Sequence, residues 1–169
     1  PVWVELGLQT IHADTAAYIR RGYPLSCFEQ ACADLKALQI PFIVHTILGL
    51  PGETNIQLLQ SMDYLNRIQP FGIKLQLLHV LKDTDLADDY LAGKFEALTF
   101  DAYIDLVISC LAHLSPDIVI HRVTGDGPKN LLIAPTWSMD KRSVLNELHH
   151  RMKKQGIRQG DLFQKDNYS

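Results

Sequence analysis

Hydrophobic and polar positions alternate strictly at the start of the chain. Val2, Val4, Leu6 and Leu8 share one face, and Trp3, Glu5, Gly7 and Gln9 share the other. A period of two predicts a strand with one apolar and one mixed face. Residues 10–22 predict a short helix ended by Gly22. Ser26 and Glu29 have capping-box spacing and open a helix with Phe28, Ala31, Cys32, Leu35 and Leu38 on one stripe. A second strand spans 41–48, with Phe42, Val44, Thr46 and Leu48 opposed to Ile43, His45 and Ile47. It runs into the turn Gly49-Leu50-Pro51-Gly52-Glu53. Thr54 and Gln57 then offer another capping box for a helix carrying Leu58, Leu59, Met62, Leu65 and Ile68. Residues 72–81 predict a third strand, with Lys74 and Gln76 on its less apolar face. A polar connection over 83–98 holds a short helix around 86–91. Thr99 caps a helix with Phe100, Tyr103, Ile104, Val107, Leu111 and Leu114 on one stripe. A fourth strand spans 118–123 and is broken by residues 125–128. A short fifth strand follows at 131–134, then a last helix at 141–155 and a polar, loose tail after Gly156.

Strands alternating with helices argue for an α/β fold with parallel strands and right-handed crossovers. A doubly wound sheet is covered on both faces and reads as uniformly apolar. Here one face carries Glu5, Gln9, His45, Lys74 and Gln76. That fits a barrel, or an open part of one, whose interior holds a ligand. Residues 1–137 are expected to form the barrel part, and 138–169 a basic helix with a polar tail.

With 169 residues, 47% of them hydrophobic, the chain suits one domain with a sizeable core. Sixteen basic against nineteen acidic residues, net charge −3, exclude a disordered charged tail protein and argue against nucleic-acid binding over the whole surface. No apolar run approaches the roughly 18 residues of a membrane span, and no leader is visible, so no membrane partner and a cytoplasmic location are expected. Three widely spaced cysteines do not make a disulfide scaffold. The chain opens at Pro1 and enters a strand with no lead-in, so it is expected to be the C-terminal part of something longer. An unpaired first strand and an open inner surface then predict self-association.

Ligands of parallel α/β folds sit at the C-terminal ends of the strands. Gln9 and the segment 49–53 lie there, and the helix start after Gly52 offers amides to an anionic or carbonyl group. Taken alone, Gly49-Leu50-Pro51-Gly52 is equally a tight strand-to-helix turn. Taken in order, Glu5-Leu6-Gly7-Leu8-Gln9, Arg20-Arg21-Gly22, Gly49 to Thr54, His79 to Lys82 and Val119 to Gly127 resemble the second half of a radical S-adenosylmethionine (radical SAM) domain. The resemblance is to the Elongator catalytic-subunit-like branch and its YhcC-like bacterial relatives, over nearly the whole chain. It implies the C-terminal half of a partial (βα)6 barrel, TIM-like and with parallel strands. It also implies a parent enzyme with S-adenosylmethionine and a 4Fe–4S cluster, which cleaves the cofactor reductively to a 5′-deoxyadenosyl radical.

Carried over by position, the resemblance places Gln9, and Arg21 twelve residues later, on the polar end of the cofactor. Glu5, His45 and Gly49 join the same pocket. His45 stands where relatives have an aspartate gripping the ribose hydroxyls, and an imidazole cannot grip two hydroxyls as a carboxylate does. Lys74, Gln76, Arg122 and Thr124 are expected to face substrate or the pocket floor. The family's C-x-x-x-C-x-x-C cluster motif is missing. Cys27 and Cys32 are five residues apart on a helix, Cys110 lies on another stripe, and all read as structural. This chain alone is therefore expected to carry no cluster and to be inactive. His149 and His150 lack metal-ligand spacing, and Gly125 to Lys129 lacks the phosphate-loop pattern and reads as a turn. Lys141, Arg142, Arg151, Lys153, Lys154 and Arg158 make a basic helix, which is a solvated face or a surface for an RNA or protein substrate. Two rivals remain at this point: another ligand-binding (βα) barrel enzyme, or a non-catalytic RNA- or protein-binding module.

Overall fold

A computed structural model describes residues 2–125 and 127–164. Four strands, β1 (Val4–Gln9), β2 (Phe42–Leu48), β3 (Gly72–Leu77) and β5 (Val119–Arg122), form one sheet in the order β1-β2-β3-β5. Each neighbouring pair is parallel. The crossovers carry α1 (Ala13–Tyr18) and α2 (Leu25–Ala37), then α3 (Asn55–Ile68), then α4 (Asp85–Leu91) and α5 (Phe100–His113). A second, two-stranded antiparallel sheet pairs β4 (Val80–Leu81) with β6 (Leu132–Ala134), and α6 (Lys141–Gln155) follows. This is an open part of a parallel (βα) barrel, and the alternation predicts its parallel strands.

The apolar strand faces meet the helices. Leu8, Val44, Leu48, Ile73, Leu75 and Leu77 pack with Phe28, Met62, Leu65, Ile104, Val107 and Leu148 in one buried cluster. The register sets Val4 opposite Phe42, Leu6 opposite Val44, and Val44 opposite Ile73, so apolar faces stack on apolar faces. The polar positions are thereby turned inward. Trp3, Phe71 and His121 close the floor of that inward face, the ring centroids of Trp3 and Phe71 each lying 5.8 Å from that of His121.

Local signals that close on themselves are confirmed. Thr54 and Gln57 form a reciprocal capping box on α3, Thr99 accepts from the Ala102 amide on α5, and α6 has the bounds read from the pattern. Other expectations need correction. The third strand does not run to residue 81. The Leu78 amide bonds to the Leu48 carbonyl, and the chain then leaves the barrel to pair Val80 and Leu81 with β6, which is not a barrel strand. The first helix is only α1, because Arg20 and Gly22 both take positive φ and break it. No capping box exists at Ser26: Pro24 is the N-cap of α2, and Glu29 instead accepts from the Tyr64 hydroxyl at 3.1 Å. The segment after Gly156 is docked as far as it is described. The Gly160 and Leu162 amides bond to the Leu111 and Ala112 carbonyls, and Gln159 donates to the carbonyls of Ser115 and Ile118. Residues 165–169 lie outside the described part.

Candidate cofactor and substrate site

The C-terminal ends of β1 and β2 open into a cavity of about 510 Å³, lined on one side by Gln9, Arg21 and Tyr23 and on the other by Asp85 and Asp89 of α4. Gln9 has φ 57° and sits at a β-bulge that skips Leu8 in the pairing with β2. The bulge re-aims its side chain, which folds back over Gly7. A Cβ at Gly7 would come within 2.5 Å of Gln9 Nε2 and 3.1 Å of the Tyr23 hydroxyl, so the glycine makes room for both. The Tyr23 hydroxyl donates to the Gly7 carbonyl and lies 3.4 Å from Gln9 Oε1.

Arg21 reaches back to the same strand end. Its Nη1 donates to the carbonyls of Leu8 at 3.0 Å and Thr10 at 2.6 Å, its Nε to the Tyr23 carbonyl at 3.1 Å, and its guanidinium lies over the Tyr23 ring. Among the described residues Nη2 has no partner, which leaves two N–H groups for a ligand. Arg20 points to α4 instead and pairs with Asp85, both mostly exposed. Tyr18 donates to Asp89 at 2.6 Å, and Asp89 also takes Lys94 at 2.6 Å. These contacts raise the Tyr18 hydroxyl above, and hold the Asp89 carboxyl below, their ordinary ranges.

Behind this wall, Glu53 links the two strand ends. The Thr10 hydroxyl donates to it, and burial pushes its carboxyl above the usual range against that hydrogen bond. Gly49 has φ 82°, and a Cβ there would lie 2.8 Å from Leu98, so it serves the turn and its packing and does not line the cavity.

Glu5 and His45 lie further toward the N-terminal ends of the strands, on the inward face, and are joined to Lys74. Glu5 Oε2 accepts from His45 Nε2 at 2.7 Å and from Lys74 Nζ at 2.5 Å, and Trp3 donates to Oε1 at 3.4 Å. The Lys74 contact, reinforced by His45, holds the Glu5 carboxyl at about 2, well below the usual carboxylate range. A carboxyl depressed on folding stabilises above its unfolded value, near 4.5, and loses that contribution as pH falls toward 2. Glu5→Gln should therefore lower stability at pH 7, and the gap from the parent chain should shrink between pH 4.5 and pH 2. Urea unfolding at several pH values checks this; a gap that is constant with pH would contradict it.

The five residues singled out from sequence thus divide. Gln9 and Arg21 share the cavity, Glu5 and His45 share the inward cluster, and Gly49 shapes the turn. Gln76 is half-buried, in register with Ile47. Arg122 is in register with Lys74, but with Thr124 it lines a second groove between β5 and α6. Tyr18, Tyr23, Asp85 and Asp89 were not found from sequence. The four-residue spacing of the two aspartates, which puts them on one helix face, was the available signal. The basic helix is partly neutralised, since Arg151 pairs with Asp101, Asp105 and Glu147. Gly125 and Gly127 pack against the His79 ring, where Cβ atoms would collide with it, and Asp126 between them lies outside the described residues.

The residues present do not fit an iron–sulfur cluster. Cys27 is exposed, Cys32 and Cys110 are buried, and burial pushes the latter two thiols up to about 11 and about 12. No group of three or more His, Cys, Asp or Glu among the described residues is placed to hold a metal ion. No described helix is long and apolar enough to cross a membrane.

The parallel sheet, the inward polar row and the cavity at the strand ends are those of part of a ligand-binding (βα) barrel. Residues 70–154 match the model of the Radical_SAM C-terminal domain, and the chain belongs to that family. It is 38% identical to the Bacillus subtilis protein YtqA, across 97% of this chain and 51% of that protein. It is 29% identical to Escherichia coli K12 protein YhcC, across 92% of this chain and 50% of that protein. Elongator complex protein 3 of Saccharomyces cerevisiae is 26% identical, across 90% of this chain and 28% of that protein. The chain thus spans about half the length of the bacterial relatives it matches. Among solved structures, the archaeal Methanocaldococcus infernus Elp3 with an N-terminal deletion superposes with a TM-score of 0.81 at 19% identity, covering 94% of this chain and 37% of that one.

Proposed function

We propose that this chain supplies the S-adenosylmethionine-holding C-terminal half of a radical SAM enzyme. The carrying observation is the convergence of Gln9 and Arg21 at one cavity, with Arg21 Nη2 lacking a partner among the described residues. A guanidinium fixed by three carbonyls has its remaining edge pre-oriented, which suits a carboxylate. Gln9 adds a neutral donor and acceptor beside it. Glu5, His45 and Lys74 line the inward face below, where the substrate lies.

S-adenosylmethionine held in that cavity would supply a 5′-deoxyadenosyl radical on one-electron reduction, and the 4Fe–4S cluster for that reduction would have to be held by residues other than those of this chain. This chain alone is inactive. In the intact protein, Gln9→Ala should weaken S-adenosylmethionine binding about tenfold, the effect of losing one hydrogen bond to a charged group. Equilibrium binding and 5′-deoxyadenosine formation measure it, and an unchanged affinity overturns the reading.

The isolated chain self-associates. β1 is an end strand of the sheet, and beside it Val2 is 84% exposed and Trp3 40%. An open edge next to exposed apolar side chains favours strand pairing between copies. Light scattering should show dimers or larger species, and a stable monomer at high concentration contradicts the expectation.

A further inference from the structure

The inward cluster has a polarity that its contacts determine. Glu5 accepts through both oxygens, and its depressed carboxyl has no proton to donate at any pH near neutrality. A carboxylate only accepts, so the proton between Glu5 and His45 belongs to His45 Nε2. Whenever the ring is neutral, its lone pair is therefore on Nδ1. That atom has no partner among the described residues, and the side chain is 22% exposed on the concave face.

We propose that His45 Nδ1 is the proton acceptor for the substrate held against the inward face, with Glu5 as the positioning residue for the ring and Lys74 as the positioning residue for Glu5. This rests on the reading above only in placing the substrate on that face. An acidic hydrogen of the substrate moves to Nδ1, and the electron pair of the broken bond stays on the substrate. The positive charge arriving on the ring forms against the Glu5 carboxylate, as in other carboxylate-held imidazoles. Lys74 donates to the same oxygen, which leaves Glu5 a weaker acceptor for the Nε2 proton. The charged groups facing His45 are Glu5 from β1 and Lys74 from β3; Arg122 of β5, in register with Lys74, lines the groove toward α6.

The test uses the intact protein labelled with 15N-histidine, with the His45 signals assigned by their loss in His45→Gln. Long-range proton–nitrogen spectra at pH 8 should show His45 with Nε2 protonated and Nδ1 bare. A charge-assisted hydrogen bond favours that tautomer about tenfold or more. In Glu5→Ala the preference should collapse toward a mixture. Diethyl pyrocarbonate, which acylates bare accessible ring nitrogens, should modify His45 in the folded protein, read by peptide mass spectrometry. An Nδ1–H tautomer overturns the inference. So does a His45 that stays unmodified while exposed His150 is fully acylated. Complete protection by S-adenosylmethionine alone also overturns it, by assigning the ring to the cofactor. Failure of the cofactor reading would appear in the Gln9→Ala affinity and leave the tautomer and the acylation unchanged.

Discussion

Arg21→Ala is expected to weaken S-adenosylmethionine binding by the intact protein ten- to a hundredfold, and Arg20→Ala to have little effect. A charge-assisted hydrogen bond to a carboxylate contributes about 1.5–3 kcal/mol. Arg21 also ties the Leu8, Thr10 and Tyr23 carbonyls together, so its loss frees the strand end that aims Gln9. Arg20 makes one ion pair with Asp85 in which both side chains are mostly exposed, and such pairs contribute little. Arg21→Lys should rescue in part, because an ammonium keeps the charge and cannot span three carbonyls while presenting a fork. Cofactor affinity and 5′-deoxyadenosine yield, with cluster content checked, give the answer. If Arg20→Ala is the more damaging change, the assignment of this segment fails.

The largest stability effect away from the site is expected at Asn66. This side chain is fully buried on α3, donates to the His113 carbonyl at 2.8 Å and accepts from the Ser115 amide at 2.8 Å. It therefore closes the corner between α5 and β5. Asn66→Ala leaves both backbone groups without a partner away from water, at about 1–3 kcal/mol each, so a loss of roughly 2–6 kcal/mol is expected. Asn66→Asp should be at least as damaging, because it keeps the acceptor for Ser115 and turns a carboxylate oxygen toward the His113 carbonyl. Urea unfolding of this chain measures both. A change below about 0.5 kcal/mol in either variant would show that the corner is held by other contacts.

Much of the candidate site was legible, but not its grouping. Glu5, Gln9 and His45 stand out as polar positions on strands whose period puts them inward. Arg21 stands out only by its twelve-residue spacing from Gln9 in a resemblance to a known family. Gln9 lies beyond Glu5 along β1, which already sets the two groups apart, and the bulge at Gly7–Gln9 re-aims the Gln9 side chain; a one-residue irregularity in pairing has no local signature. Gly49 enters the pocket only through position in that resemblance, and the packing of its turn against Leu98, 49 residues away, has no signature in the local sequence.

What the sequence by itself determined is everything that closes within a few residues. Strand alternation, the Thr54–Gln57 capping box, the Thr99 cap and the extent of α6 depend on side chains and amides three or four positions apart. The parallel barrel part follows from their order. Tertiary structure alone decided which residues meet. His45 and Lys74 reach Glu5 across 40 and 69 positions, Asn66 reaches Ser115 across 49, and residues 80–81 leave the barrel to pair with 132–134. The physical reason is that inter-strand register is set by fitting whole apolar faces against the helices, a property of the packed core. The polar pairings on the opposite face are carried along by that fit.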